Sequence, residues 1–223
     1  MERQIIATKD GSHTIILPEK AISYHSRHGA IAESRHIFIE SGLHHFMVHH
    51  PGLRTLRILE LGFGTGLNAF LTALEAEQML IHIAYTALET EPLTKEESDV
   101  LNYPDYLGAR ELFLKLHAGW NELTQPSSYM QLQKIHTSLQ DYDTESRFHL
   151  IYYDAFSPGD QPELWTEAIF HKMVRLMEPG GILLTYCSKG DVRRAMKAAG
   201  LKVKKVPGPW GKRDIVRAER EIE

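Results

Sequence analysis

The chain has 223 residues, of which 43% are hydrophobic and 24% are charged, and its net charge is −4. These values are typical of a folded globular protein and exclude a disordered tail, a collagen-like chain and a coiled coil. The sequence shows no secretory signal and no apolar run near the roughly 20 residues that a membrane helix needs. Its single cysteine, Cys187, excludes an internal disulfide. We therefore expect a cytoplasmic protein without membrane contact.

The first 54 residues predict a small N-terminal extension of strands and helix. Two short strands, Gln4–Thr8 and Thr14–Leu17, flank a turn in which Asp10-Gly11 tolerates positive φ. A histidine-rich stretch follows, then a short segment at Arg35–Ile39 and a helix expected over Gly42–His49.

From residue 55 onward strands and helices alternate. This predicts a Rossmann-like α/β domain over residues 55–223, with a parallel sheet and helices on both faces. The expected strands are Leu56–Leu61, Ile81–Leu88, Met130–His136, Phe148–Tyr153 and Gly180–Tyr186, followed by a hairpin of Leu201–Val206 and Asp214–Arg220. The expected helices are Thr65–Met79, Leu93–Leu101, Tyr106–Leu116, Pro162–Met177 and Asp191–Ala199.

Positive charge is concentrated in one segment of the chain. Residues 1–188 contain 14 Lys and Arg against 24 Asp and Glu, whereas residues 189–217 contain 10 against 2. Such a segment is either an ordinary solvated surface or a phosphate-binding face.

A glycine-rich turn, ELGFGTGL at residues 60–67, connects the first strand of this domain to its first helix. Glycines let the backbone turn sharply and let a ligand approach it closely, and the helix presents free N–H groups. A dinucleotide turn usually has the spacing G-x-G-x-x-G. The spacing here is Gly-x-Gly-x-Gly with Glu60 two residues upstream, which resembles motif I of class I S-adenosylmethionine (SAM) methyltransferases.

Two further acids follow strands at the edge of the sheet where ligands bind. Glu89 ends the second strand, where a carboxylate can accept hydrogen bonds from two ribose hydroxyls; the alternatives are Glu91 in that role or an ordinary solvated glutamate. Asp154 ends the fourth strand and, with Phe156, resembles motif IV of amine methyltransferases. A carboxylate there can orient an amine and accept its proton, and an aromatic ring can contact the cation. An acidic strand cap is the alternative for Asp154.

Five stretches in order resemble the methyltransferase domain of the MnmC family, above all its stand-alone form, called MnmD. They are residues 10–14, 24–39, 60–68, 153–165 and 208–217, and the most diagnostic is YHS at 24–26 with HGAIAESR at 28–35. The family methylates 5-aminomethyl-2-thiouridine at the tRNA wobble position to 5-methylaminomethyl-2-thiouridine. The resemblance implies a class I SAM-dependent methyltransferase fold, residues 1–54 as a lid over the site, SAM as methyl donor, tRNA as partner, and neither FAD nor a metal.

The resemblance also implies the residues of the site. Asp154 and Phe156 would lie beside the methyl group and the substrate amine. The implied SAM contacts are Glu60, Gly62, Phe63, Gly64, Thr65, Gly66, Asn68, Glu89, Ser138, Tyr24 and Ser26. Glu33, Lys212, Arg213 and Trp210 would face the substrate and its RNA, and Trp210 either stacks on a base or anchors the basic loop. Ser138 stands where the family usually has an acid for the adenine amino group, which leaves that contact open between Ser138, Asp141 and a backbone carbonyl.

In the fused members of the family an FAD-dependent oxidase supplies the aminomethyl base. This sequence ends at Glu223 without such a domain, so we expect a separate oxidase to act upstream. Two alternatives are a transferase acting on a small amine, like spermidine synthase, and a catalytically inactive RNA-binding protein. Glu60 and the basic segment argue against the first, and Asp154 with the glycine turn against the second. His45 and His49 could share a zinc ion on a helix, but no cysteine or acid completes that set, so we expect no metal.

Overall fold

The structure of the protein is a computed structural model that describes residues 2–209 and 211–222. Within these residues, three strands form a small antiparallel sheet: β1 Gln4–Ala7, β2 His13–Leu17 and β3 Ile22–Ser23. Eight further strands form the main sheet: β4 Thr55–Leu61, β5 His82–Glu89, β6 Leu123–Ser127, β7 Met130–His136, β8 Phe148–Tyr153, β9 Met177–Thr185, β10 Leu201–Pro207 and β11 Asp214–Arg220.

The first helix, α1, covers residues 30–49 without a break. It consists of α-helical Ala30–Ser34 and His45–His49 with a π-helical middle, Arg35–His44. The other helices are α2 Leu67–Met79, α3 Lys95–Asp99, α4 Tyr103–Leu107, α5 Arg110–His117, α6 Glu167–Leu176 and α7 Gly190–Ala198. No helix in the described part of the chain is long and apolar enough to cross a membrane.

The main sheet has the strand order β10-β11-β9-β8-β4-β5-β7-β6. Its five central strands, β9, β8, β4, β5 and β7, run parallel to one another. The edges are antiparallel, because β11 pairs with β9 and β10, and β6 pairs with β7. The Rossmann-like α/β fold predicted from the sequence is therefore confirmed, but the sheet is mixed rather than parallel throughout.

Helix α1 is the largest difference from the sequence prediction, which separated a short segment at Arg35–Ile39 from a helix over Gly42–His49. The segment is one helix because Ile37, Phe38 and Ile39 are all at most 2% exposed, packed between the main sheet and α2. The middle of α1 is a π-helix, whose i→i+5 hydrogen bonds give a longer repeat than the 3.6-residue period that marks a surface α-helix in a sequence.

Other boundaries also differ. Strand β6 was not predicted because it contains Pro126, which a sheet tolerates at its edge. The helix expected over Tyr106–Leu116 is divided into α4 and α5 around Gly108, whose φ is +72°. The helix expected from Pro162 begins as a short 3-10 turn, Pro162–Trp165, before α6.

Each face of the main sheet has its own hydrophobic core. One core includes Phe38 of α1, Phe70 of α2 and Tyr152 of β8, whereas the other includes the next strand residue, Tyr153, with Phe170 of α6. Successive residues of a strand point to opposite faces, which divides the two tyrosines between the cores. Helix α1 thus packs on the main sheet although it precedes residue 54; the domain boundary expected there stays a prediction.

Candidate active site

A cavity of about 310 Å³ lies at the carboxyl ends of β4, β5, β7 and β8. This is the edge at which open α/β sheets bind ligands. Ten of the residues predicted from the sequence line it: Tyr24, Gly62, Phe63, Gly64, Thr65, Asn68, Glu89, Ser138, Asp154 and Phe156. The structure therefore brings together the glycine turn, both predicted acids at strand ends and one aromatic residue of the N-terminal segment.

The glycine turn forms one wall of the cavity, and two of its positions accept only glycine. Gly62 has φ +86°, and a Cβ there would lie 3.0 Å from the carbonyl oxygen of Asp154. Gly66, with φ +72°, does not line the cavity; a Cβ there would lie 2.9 Å from Nε2 of His117. Side chains disfavour such backbone conformations, so the turn keeps its backbone exposed to a ligand.

Phe63 of the turn rests on groups that sequence reasoning missed. The ammonium of Lys134 lies 5.0 Å from the centre of the Phe63 ring and 4.6 Å from that of Trp120. Burial lowers the pKa of Lys134 to about 8, and His117 contacts the edge of Phe63 at a centroid distance of 5.5 Å. These residues lie in β7 and around α5, far from the turn in sequence, so no local motif marks them.

Asn68 forms hydrogen bonds with both Glu60, which precedes the glycine turn, and Asp154, which follows β8. Its Nδ2 donates to Oε1 of Glu60 at 3.0 Å and to Oδ2 of Asp154 at 2.9 Å. Glu60 is completely buried behind Asn68, outside the cavity lining, and its Oε2 has no hydrogen-bond partner among the described residues. Burial raises the pKa of Glu60 well above its usual range, and the nearby Asp154 adds to this effect.

Glu89 is oriented by backbone amides. Its Oε2 accepts a hydrogen bond from the N–H of Gly64 at 2.9 Å, and its Oε1 accepts from the N–H groups of Thr90 and Glu91, each at 2.9 Å. A carboxylate has about four lone-pair sites, and three are occupied here, so the free one lies on Oε2. Glu91, the alternative considered from the sequence, instead lies 3.6 Å from Arg3 with its side chain 52% exposed.

Phe156 and Tyr24 form an aromatic wall across the cavity. Their rings stack with centroids 5.2 Å apart and an interplanar angle of 7°. The Phe156 loop is fixed from both sides, because the Phe156 N–H donates to Oε1 of Gln161 at 3.1 Å and Nε1 of Trp165 donates to the Phe156 carbonyl at 2.9 Å. Gln161 also lines the cavity and was not predicted as a site residue, although it lies within the diagnostic stretch 153–165.

Asp154 has a carboxyl group that titrates near neutral pH. Burial raises the pKa of Asp154 to about 7, against the hydrogen bond from Asn68, which lowers it. The charge of Glu33 raises this pKa further and the charge of Lys212 lowers it.

An ion pair between Glu33 and Lys212 connects α1 to the loop before β11. Lys212 Nζ lies 2.5 Å from Glu33 Oε1 and 4.2 Å from the centre of the Tyr186 ring. The Ser26 N–H donates to the other Glu33 oxygen at 2.7 Å, so Ser26 supports this pair and does not line the cavity. Arg213 is exposed on the surface. Trp210 lies outside the described residues.

Ser138 lines the cavity, but its hydroxyl is already engaged. It donates to Oδ2 of Asp141 at 2.6 Å and accepts from the Asp141 N–H at 3.1 Å. Asp141 itself does not line the cavity, whereas Thr137 and Gln140 do. The residue that would contact an adenine therefore stays a prediction.

Comparison with known proteins identifies the class. Residues 112–221 match the model of a protein family described as S-adenosyl-L-methionine-dependent methyltransferase. With the fold and the cavity described above, this match defines the chain as a SAM-dependent methyltransferase.

Two curated relatives narrow the family. Over 210 residues, the chain is 32% identical to the tRNA 5-methylaminomethyl-2-thiouridine biosynthesis bifunctional protein MnmC of Aromatoleum aromaticum, which covers 87% of this chain and 32% of that protein. It is 31% identical to the protein of the same name from Pseudomonas fluorescens, covering 88% of this chain and 32% of that protein. The chain thus spans about a third of the length of the curated relatives it matches.

Solved structures show the same fold. MNMC2 from Aquifex aeolicus matches with a TM-score of 0.79 at 23% identity, covering 100% of this chain and 71% of that one. Spermidine synthase from Thermotoga maritima matches with a TM-score of 0.64 at 14% identity, covering 99% and 70%. The resemblance seen in the sequence is confirmed: the chain belongs to the family of the MnmC methyltransferase domain.

Proposed function

We propose that the protein transfers a methyl group from SAM to the amino group of 5-aminomethyl-2-thiouridine at the wobble position of tRNA, giving 5-methylaminomethyl-2-thiouridine. The observation that carries this proposal is a carboxyl group with a near-neutral pKa, Asp154, placed between the glycine turn and the Tyr24–Phe156 wall. The names of the curated relatives, which include biosynthesis of the same modified nucleoside, support the choice of substrate.

The cavity fits SAM by its chemistry. The backbone at Gly62 and Gly64 leaves room that a side chain would fill. Oε2 of Glu89 would accept a hydrogen bond from a ribose hydroxyl with its remaining lone pair. Asn68 would contact the methionine end, and the buried Glu60 would orient Asn68 through its hydrogen bond. The enclosure would be completed, directly or by support, by Phe63, Thr65, Gly66, Ser138, Tyr24 and Ser26. When bound, SAM supplies the electrophilic methyl group that a neutral amine attacks.

Asp154 and the aromatic wall would prepare the amine. An alkylamine is mostly protonated near pH 7, so the nucleophile must first lose a proton. A carboxylate whose pKa is about 7 is matched to accept that proton at neutral pH, directly or through one water. Phe156 and Tyr24 would contact the ammonium and the base with their rings and exclude bulk water.

The remaining roles follow from position and charge. Glu33 and Lys212 would close the substrate side of the cavity, and Arg213, exposed beside them, would contact RNA phosphate. We further propose that residues 1–54 act as the lid, that neither FAD nor a metal takes part, and that a separate FAD-dependent oxidase supplies the aminomethyl base. A cytoplasmic location stays a prediction.

The spermidine-synthase-like alternative shares the fold but gains nothing specific from the structure. A likeness at 14% identity shows the fold alone, and the substrate decides between the two reactions. The alternative predicts transfer of an aminopropyl group to a free polyamine. In that case tRNA would gain no label in a methylation assay.

The test is to incubate the protein with SAM labelled on its methyl group and tRNA from a strain that lacks this methylation, then to digest the RNA. We expect label in 5-methylaminomethyl-2-thiouridine. We expect Asp154→Asn to lower the methylation rate by roughly 10²- to 10⁴-fold, the contribution of general-base catalysis, while SAM binding persists. Asp105→Asn, an exposed acid paired with Arg110, serves as the matched control. Unlabelled tRNA with intact SAM binding would reject this substrate, and full activity of Asp154→Asn would reject the role of Asp154.

A further inference from the structure

A group of basic side chains lies outside the cavity, where α1 packs against the β10–β11 hairpin. We call Lys204, Arg217, His45 and His49 the α1–hairpin cluster. Lys204 is directly opposite Arg217 in the β10–β11 register, so both side chains lie on one face of the hairpin. Arg217 Nη1 donates to the carbonyl of Ser41 in α1 at 3.4 Å, and the rings of His45 and His49 are 4.3 Å apart.

The cluster carries positive charge that no carboxylate neutralises directly. Within residues 2–209 and 211–222, neither Lys204 nor Arg217 forms an ion pair. The neighbouring lysines of β10 differ, because Lys202 pairs with Glu221 and Lys205 pairs with Asp214. Among the described residues, the hairpin thus leaves two cations without a carboxylate partner, although neighbouring lysines form ion pairs.

His45 is sensitive to the positive charge around it. Burial lowers the pKa of His45 to about 4, and the positive charges of Arg217, His49, Lys204 and His50 lower it further. Glu219, further along β11, is the acidic group that acts on Arg217. An anion bound here would therefore be attracted by two fixed cations and would favour protonation of a third group.

The cluster lies within reach of an RNA whose nucleotide occupies the cavity. Arg213 follows Lys212, whose charge acts on Asp154 in the cavity. From Arg213 to Arg217, four residues of extended chain span roughly 13 Å. Lys204 and His49 are exposed on the open surface, where a repeating polyanion can lie across several groups. Lys and Arg neutralise phosphates without reading sequence.

We propose that the α1–hairpin cluster is a second contact for the phosphate backbone of the RNA substrate, separate from the cavity and from Arg213. This proposal rests on the proposed function for the identity of the RNA. Because the groups are charged and lie on an open surface, their contribution is electrostatic and falls with salt.

The test compares Lys204→Gln/Arg217→Gln with Lys95→Gln/Lys115→Gln, a control that removes the same charge from exposed positions. Lys115 lies in α5, which packs on β6 at the opposite sheet edge, and Lys95 lies in α3, which packs on α5. The measurement is the dissociation constant for an unmodified RNA hairpin of anticodon stem-loop length, titrated from 50 to 200 mM salt. Loss of two phosphate contacts lowers the slope of log K against log salt by about 1.4 to 1.8. Between those concentrations the wild type then loses about tenfold more affinity than the cluster variant.

The control variant is expected to keep the wild-type slope, and Lys204→Arg/Arg217→Lys to restore it. A wild-type slope in the cluster variant, or an equal fall in both variants, overturns the proposal. SAM affinity, measured on each variant, reports correct folding. Methylation of tRNA by the wild type is measured in parallel. If tRNA is labelled but the cluster variant keeps the wild-type slope, only the role of the cluster is refuted. If tRNA is not labelled, the proposed function is refuted, and with it the identity of the RNA.

Discussion

Replacing Asp154 with asparagine is expected to make the protein more stable as well as inactive. Burial raises the pKa of Asp154 from 3.8 to about 7, so the folded protein disfavours the ionised form. Each pKa unit corresponds to about 1.4 kcal/mol, and the ionised carboxylate therefore lowers the free energy of unfolding by about 4 kcal/mol above pH 7. Asparagine has no charge to desolvate, and its amide oxygen can accept the hydrogen bond from Asn68.

The effect has a defined pH dependence. Because the folded-state pKa of Asp154 lies above the unfolded value, the protonated carboxyl favours folding fully below pH 3.8, and this contribution is lost as the pH rises to about 7. The stability difference between Asp154→Asn and the wild type is therefore expected to grow by about 3 kcal/mol from pH 5 to pH 8 and to stay constant above that.

Urea unfolding at pH 5, 6, 7 and 8, followed by tryptophan fluorescence and circular dichroism, measures this difference. Asp105→Asn at the surface, where the ion pair with Arg110 is 52–61% exposed, is expected to change stability little at any of these pH values. A variant that is less stable than the wild type at pH 8, or a difference that does not change with pH, would refute the reasoning.

Three further results are expected. Gly62→Ala should weaken SAM binding about tenfold or more, since φ is +86° and the new Cβ would lie 3.0 Å from the Asp154 carbonyl oxygen; calorimetry with an unchanged Kd would contradict this. Glu33→Gln should move the acidic limb of the pH–rate profile to lower pH and Lys212→Met to higher pH, because these charges act oppositely on the pKa of Asp154; shifts in the same direction would count against it. Ser138→Ala should raise the Kd for SAM by about two- to tenfold, the effect of one hydrogen bond, and an unaltered Kd would assign the adenine contact elsewhere.

The local elements of the central sheet could be predicted because each is encoded by nearby residues. The strand Leu56–Leu61 is apolar, ends in glycines and leads into an amphipathic helix, and the structure has β4 and α2 there. Glu89 and Asp154 were placed correctly in one cavity because parallel strands end at a common edge.

The contacts that complete the site could not be predicted in the same way. Glu33 and Lys212 are separated by nearly the whole chain, and only the antiparallel return of β11 onto β9 brings them together. The helix α1 was divided in the prediction because its middle is π-helical and does not follow the 3.6-residue period of an α-helix. The contact between Lys134 and Phe63 likewise depends on the strand order, because β7, which carries Lys134, lies beside β5, the neighbour of β4.

The ion pair between Glu33 and Lys212 has a consequence for synthesis of the protein. A nascent chain that has emerged only as far as residue 200 already contains the glycine turn, Glu89 and Asp154, but it lacks the hairpin that carries Lys212. Glu33, whose charge raises the pKa of Asp154, is thus synthesised long before Lys212, whose charge lowers it. The two opposing charges can be paired only after the ribosome has made the last strand pair of the main sheet.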